Sequence, residues 1–326
     1  YEVTVVAVHD DALPIHESVD NFQAHRIKLS SKNWPKSLIV QLLKYLEFVS
    51  RAVWVHGRKD IIHCHDLSGL PVGVLAKLLL NRRAKVIYDA HEHETEIAEL
   101  TGIQKTGTKI LERLLIKRAD AVITVSELIA KDYQKLYGIP KPHLVLNAPE
   151  LTDVSNSDVL RSNLGIAPER KIFLYQGALS PNRGIELLLE TAATETDDRI
   201  AFVFMGYGIL EGRIREQMAT GSNVFLQPAV PMSEIIKYSR SADVGFSLIE
   251  DKSLSLRYSL PNKLFEYVMA SRPVICSNLP EMRQFVEQYQ VGVVALDATP
   301  SGIRAAMHEA LALDPVTLNS KLATAR

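Results

Sequence analysis

Twice along this chain, short runs of β-branched and aliphatic residues alternate with longer stretches whose apolar residues recur every three or four positions. No other feature limits its fold more. In the first half, segments 1–8, 60–63, 85–88, 121–125 and 143–147 read as buried strands, and 35–56, 70–81 and 108–118 carry helical periodicity. The pattern restarts with strands at 171–175, 200–205, 223–226, 244–247 and 273–277, separated by helices at 185–194, 209–218, 232–239 and 262–270. Such alternation predicts βαβ units and parallel sheets. At 326 residues, against roughly 150 per domain, two doubly wound, Rossmann-like α/β domains are expected, at 1–150 and 151–326. The polar tract 153–158 is the expected linker.

Charge and cysteine usage exclude several function classes. Lys and Arg number 37 against 38 Asp and Glu, a formal charge of −1. A nucleic-acid binder would need a basic excess for its phosphate contacts, so no nucleic-acid partner is expected. Cys64 and Cys276 lie far apart with no CxxC pair, which predicts neither a disulfide framework nor a zinc knuckle and fits a reducing, cytoplasmic compartment. Apolar runs such as 72–80 are too short to span a bilayer. The chain begins at Tyr1 and its first methionine is Met205, so the natural start and any targeting signal are expected to lie outside this sequence.

In open α/β sheets, ligands bind beyond the carboxyl ends of strands, where loops lead into helix N-termini. After strand 171–175 comes Gln-Gly-Ala-Leu-Ser-Pro-Asn-Arg-Gly, residues 176–184. Gly177 would let the backbone approach a ligand, and Arg183 would offer a forked donor to an anion at the next helix start. An exposed turn arginine with a glycine cap would read the same on this stretch alone. Segment 258–282 says more. There Ser259-Leu-Pro261 precedes a helix with Lys263 in its first turn and Glu266 in its second. Free amides plus Lys263 make an anion site, and Glu266 can accept from vicinal hydroxyls. Phosphates beside a diol describe a nucleotide, although a capped surface helix with an i to i+3 Lys and Glu pair would read the same on this segment alone.

These residues resemble a known family. Segment 258–282 is similar to the PNKLFEY…G.PVI.S..PE signature of the GT-B-fold retaining glycosyltransferases of the large group 4 family (group 1 type), which use nucleotide-sugar donors. The resemblance runs along the chain. Gln176-Gly-Ala-Leu…Arg183-Gly184 resembles the family's G-R-L-x-x-x-K-G, and Met205-Gly206-Tyr-Gly208 its V-G-x-G. Residues 60–66 and 88–92 resemble its D-V-V-H-x-H and T-x-H loops, and 121–126 and 145–148 its A-D-x-V-I-x-V-S and I-P-N-G. The resemblance implies two Rossmann-like domains facing a cleft, an incomplete first domain lacking the usual first strand, and transfer of a hexose to a glycan or lipid-linked acceptor with anomeric retention. It implies that Glu266 binds the donor ribose, that Arg183 and Lys263 neutralise the diphosphate, and that Gly177, Gly206 and the backbone near 225–228 border it. His91 would lie near the donor sugar. Catalytic roles thus fall on His91, Arg183 and Lys263.

Two substitutions depart from the family pattern. Tyr258 stands where the first glutamate of the family's E-x7-E pair is usual, leaving sugar contacts to Ser259 and to the backbone of Leu260 and Asn262. Ala178 stands where an arginine is usual, leaving Arg183 more of the phosphate charge. A GT-B sugar-nucleotide epimerase and a catalytically silent partner subunit are the alternative readings.

His63-Cys-His65-Asp66 is not read as a metal cluster, because on a strand His63 and His65 share one face and Cys64 takes the other. His65 and Asp66 are instead candidates for contact with the acceptor. No metal and no cofactor is expected, the nucleotide sugar being a substrate. The basic segment 105–118, with Ile110, Leu111, Leu114 and Leu115, is a candidate for peripheral contact with an anionic inner membrane face.

Overall fold

The computed structural model describes residues 1–152, 155–221 and 223–326. The expected linker tract 153–158 therefore lies outside the described residues at Asp153 and Val154. The chain divides into two compact units: residues 1–95, 100–124 and 130–144 form the first, and 96–99, 125–129 and 145–326 the second.

In the first unit, β1 (Val3–Val8) pairs in parallel with β3 (Phe22–Ile27), and β2 (His16–Val19) pairs antiparallel with β3. This hairpin escaped the sequence reading because its strands are short and half polar. A separate four-stranded parallel sheet runs β4 (Ile61–His65), β5 (Lys85–Ala90), β6 (Ala121–Thr124), β7 (His143–Leu144). Helix α1 (Leu38–His56) starts at Ser37, whose side chain accepts from the Val40 amide. Helix α2 (Asp66–Leu79) begins four residues before the expected position, with Pro71 tolerated near its start. Helix α3 (Gly102–Leu115) buries Glu112 rather than an apolar side chain. The Glu112 carboxylate accepts from Tyr88 Oη at 2.6 Å, from Tyr133 Oη at 2.9 Å and from Tyr137 Oη. Tyr133 and Tyr137 lie on α4 (Glu127–Tyr137). Three donors satisfy a carboxylate that burial would otherwise penalise. As a result Ile110 and Leu114 are exposed.

The second unit holds six parallel strands: β8 (Lys171–Gln176), β9 (Ile200–Gly206), β10 (Val224–Pro228), β11 (Val244–Ser247), β12 (Val274–Ser277) and β13 (Gly292–Ala295). Their spatial order is β10-β9-β8-β11-β12-β13, the doubly wound order that reverses direction between β8 and β11. Strand periodicity divides the core. Phe173, Tyr175, Phe202, Phe204 and Phe246 pack on one face, and Ile172, Leu174, Ala201, Val203 and Met205 on the other. Helices α5 (Val159–Leu164), α6 (Ile185–Ala193), α7 (Glu211–Thr220), α8 (Met232–Arg240), α9 (Leu254–Arg257), α10 (Asn262–Met269), α11 (Pro280–Tyr289), α12 (Pro300–Ala312) and α13 (Pro315–Ala325) complete the unit. Both faces are covered, which is why the strands read as continuous apolar runs rather than alternating ones.

Candidate functional site

The reversal of strand order places the exit of β8 beside the segment that follows β11. Gly177, the first residue past β8, adopts φ 118°. A Cβ there would stand 3.8 Å from both Cε and Nζ of Lys263. Glycine thus keeps the backbone open next to an ammonium group. Helix α10 begins after Pro261, whose side chain offers no cap; the Leu264 amide donates to the Pro261 carbonyl at 3.0 Å, which leaves the Asn262 and Lys263 amides for a ligand or water. Lys263 is buried in that turn and its Nζ lies 3.8 Å from the centre of the Tyr175 ring. Burial, reinforced by the Arg183 charge, brings the ammonium down from its ordinary 10.5 to about 7. Arg183 itself has no hydrogen-bond or ion-pair partner among the described residues.

Glu266 stands one turn further along α10. It accepts a hydrogen bond from Gln176 Nε2 at 2.6 Å, while Gln176 Oε1 accepts from Ser239 Oγ at 2.7 Å. Burial raises the Glu266 carboxyl above its ordinary range, opposed by the Gln176 hydrogen bond and the Lys263 charge. The structure therefore brings Gly177, Lys263 and Glu266 together around β8 and α10, with Arg183 near enough to act on Lys263 electrostatically. Gln176, Tyr175 and Ser239 complete the arrangement and were missed in the sequence. An aromatic residue and an amide at the end of a buried strand were the available signal.

The other expected donor residues divide. Gly206 ends β9 at φ 152°, and a Cβ there would fall 1.9 Å from the Gly177 carbonyl oxygen, so its immediate role is to let two strand ends pack. Ser259 Oγ donates to the Leu256 carbonyl at 2.8 Å. Leu260 is buried and Asn262 is exposed at the head of α10. Tyr258 follows α9, its amide closing that helix onto Leu254.

In the first unit, the exits of β4 and β5 gather a second set. His65 pairs in register with Asp89, and His65 Nδ1 lies 3.0 Å from His91 Nε2. His63 Nε2 lies 2.9 Å from Asp89 Oδ2. Burial and the neighbouring His63 charge hold the His65 imidazole below its ordinary pKa. Asp66 takes φ 57°, uncommon for a side chain of any kind, and its Oδ1 is buried with no hydrogen-bond partner. Glu94 beside it is pushed up to about 9 by burial and by the Asp66 charge. The backbone after His91 is pinned by buried His93, whose Nε2 lies 2.7 Å from Asp132 Oδ2. His65, Asp66 and His91 therefore sit together with Asp89 and Glu94, neither of which the sequence reading singled out.

Comparison with known proteins places the chain among glycosyltransferases. Residues 1–149 match Glycosyltransferase Family 4, and residues 170–312 match Glycosyl transferases group 1. An uncharacterized glycosyltransferase of Methanocaldococcus jannaschii is 23% identical over 324 residues, covering 93% of this chain and 78% of that protein. The putative teichuronic acid biosynthesis glycosyltransferase TuaH of Bacillus subtilis is 24% identical over 239 residues, 70% of this chain and 53% of that protein. Among solved structures, sucrose-phosphate synthase of Thermosynechococcus elongatus superposes with a TM-score of 0.80 at 17% identity, over 99% of this chain and 84% of that one. HepE of Anabaena, solved in complex with UDP-glucose, gives a TM-score of 0.70 at 14% identity over 99% of both chains.

Proposed function

The chain belongs to the glycosyltransferase group 4 family (group 1 type) with the GT-B fold, and from that premise we propose that it moves a hexose from a uridine diphosphate sugar to a glycan or lipid-linked acceptor with retention of anomeric configuration. The observation that carries this reading is the pairing of Lys263 and Glu266 on successive turns of α10, beside the open backbone of Gly177 at the strand-order reversal. In this reading Glu266, aimed by Gln176, accepts from the ribose hydroxyls. Lys263, Arg183 and the first-turn amides of α10 receive the diphosphate. Negative charge on that diphosphate is greatest as the glycosidic bond breaks, so the same groups stabilise the departing nucleotide more than the bound donor. Gly206, Ser259, Leu260 and Asn262 border the donor, His91 serves the transfer step, and His65 and Asp66 serve the acceptor. No metal enters the step. HepE's complex with UDP-glucose supports a uridine donor, and TuaH, named for teichuronic acid biosynthesis, supports an acceptor of that kind. Among the described residues no helix is long and apolar enough to cross a membrane. Exposed Ile110 and Leu114 on α3 support peripheral contact with a membrane carrying a lipid-linked acceptor.

Incubating the full-length protein with radiolabelled UDP-sugars tests the reading. Label in a polymer or lipid fraction supports transfer. An epimerised donor without transfer would identify an epimerase, and donor binding without turnover a silent partner subunit, the reading that Tyr258 in place of glutamate favours.

A further inference from the structure

Strands β4 and β5, with the residue that follows β5, gather three imidazole nitrogens around one carboxylate oxygen. Side chains alternate along β4, so His63 and His65 emerge on one face while Cys64 is buried on the other. The parallel register sets Asp89 of β5 opposite His65. Asp89 Oδ2 then lies 2.9 Å from His63 Nε2, 3.4 Å from His65 Nδ1 and 3.5 Å from His91 Nε2. His65 Nδ1 and His91 Nε2 are 3.0 Å apart. The three imidazoles form a stack, with His65 between His63 at 4.5 Å and His91 at 5.3 Å, both at 15°. Asp89 is 9% exposed behind them, while 64% of the His65 side chain meets solvent. A buried carboxylate thus backs a row of partly exposed imidazoles whose nitrogens face it and one another.

An ion bound at about 2.0–2.2 Å holds tetrahedral neighbours roughly 3.3–3.5 Å apart. The His65, His91 and Asp89 atoms already stand at 3.0, 3.4 and 3.5 Å. His63, His65 and Asp89 each place one ligand atom within 4.8 Å of the other two, which makes His63 the fourth candidate ligand. Imidazole nitrogens with a single carboxylate suit zinc, cobalt or nickel, whereas magnesium and calcium take oxygen ligands. The donors sit on or beside paired strands, which hold geometry better than a free loop. We propose that His63, His65, Asp89 and His91 form a site for one divalent transition-metal ion, and that occupancy withdraws His91 from the transfer step. The second clause rests on the role proposed for His91; the first does not.

Cobalt(II) titrated into the full-length protein is expected to develop the intense visible d–d absorption of a four-coordinate ion and to lose it when zinc is added. Calorimetry with zinc alone should give one site. Asp89→Asn and His65→Ala should each weaken zinc at least about 100-fold, beyond the 10- to 100-fold cost of losing a mere supporting partner. His65→Ala removes a largely exposed ring, so an unchanged circular dichroism spectrum would show that fold loss is not the cause. No cobalt spectrum and no zinc heat, or an affinity that survives both substitutions, overturns the site. The ratio of transfer with and without zinc reads the second clause: loss of transfer, restored by a chelator, supports it. Tight binding with undiminished transfer keeps the site and overturns the inhibition. A protein that binds zinc but shows no transfer to any acceptor would leave the site standing and refute the transferase reading instead.

Discussion

Lys263 Nζ stands 3.8 Å over the Tyr175 ring, and the Tyr175 hydroxyl is tied to the Ala178 carbonyl at 2.9 Å, so the face under the ammonium is fixed. The ring offers some cation–π stabilisation, yet burial still brings Lys263 down to about 7. Near that value the ammonium is only partly charged, and a diphosphate placed beside it would favour the charged form.

Binding of UDP should therefore take up a proton at a pH above 7. The free-site value of about 7 lies below the ordinary 10.5, so affinity is highest below pH 7 and falls as the pH rises through it, by up to about tenfold per unit. In the ligand-free protein the same shift costs stability fully below pH 7, a cost relieved as the pH climbs towards 10.5. Calorimetry in buffers of different ionisation enthalpy measures the uptake. Lys263→Met should abolish it, and proton uptake unchanged in that variant would place the titrating group elsewhere.

Glu266→Ala should weaken UDP by about 1.5–3 kcal/mol, the range for a hydrogen bond to a charged group. Gln176→Ala should weaken it in the same direction, since Gln176 Nε2 holds the carboxylate at 2.6 Å. An unchanged dissociation constant for Glu266→Ala would remove the ribose assignment.

Arg183→Ala should lower turnover more than donor affinity, because leaving-group charge peaks after the ground state. Ala178 supplies no second guanidinium. Steady-state kinetics set beside equilibrium binding separates the two. A loss confined to binding would make Arg183 an anchor.

His91→Ala should cut transfer at least about 100-fold, as for a lost positioned polar group, with UDP affinity intact because UDP carries no sugar. Near-normal transfer with the true acceptor would make the 89–92 loop structural.

Gly206→Ala should destabilise the second unit by roughly 1–3 kcal/mol through overpacking, since its Cβ would fall 1.9 Å from the Gly177 carbonyl. Thermal unfolding without ligand checks this. A melting temperature equal to wild type, with donor affinity lost, would make Gly206 a ligand contact rather than a packing device.

What the sequence determined by itself follows from periodicity and order. Continuous apolar runs and helices of period 3.6 are local properties, so strands such as 171–175 and 200–205 and helix 262–270 were legible, as was the position of Lys263 at a helix start. The β2–β3 hairpin was not, because its short, partly exposed strands carry His16, Glu17, Gln23 and Arg26 rather than an apolar run. Nor was the burial of Glu112, whose tyrosine partners lie 21 to 25 residues away. Pairing across sequence distance was decided only by tertiary structure: Gln176 meets Glu266 ninety residues on, and Asp89 meets His63 twenty-six residues back. The reason is physical. A side chain's type and local spacing fix what it can donate or accept, whereas its partner is fixed by strand register and crossover packing, which no local pattern encodes.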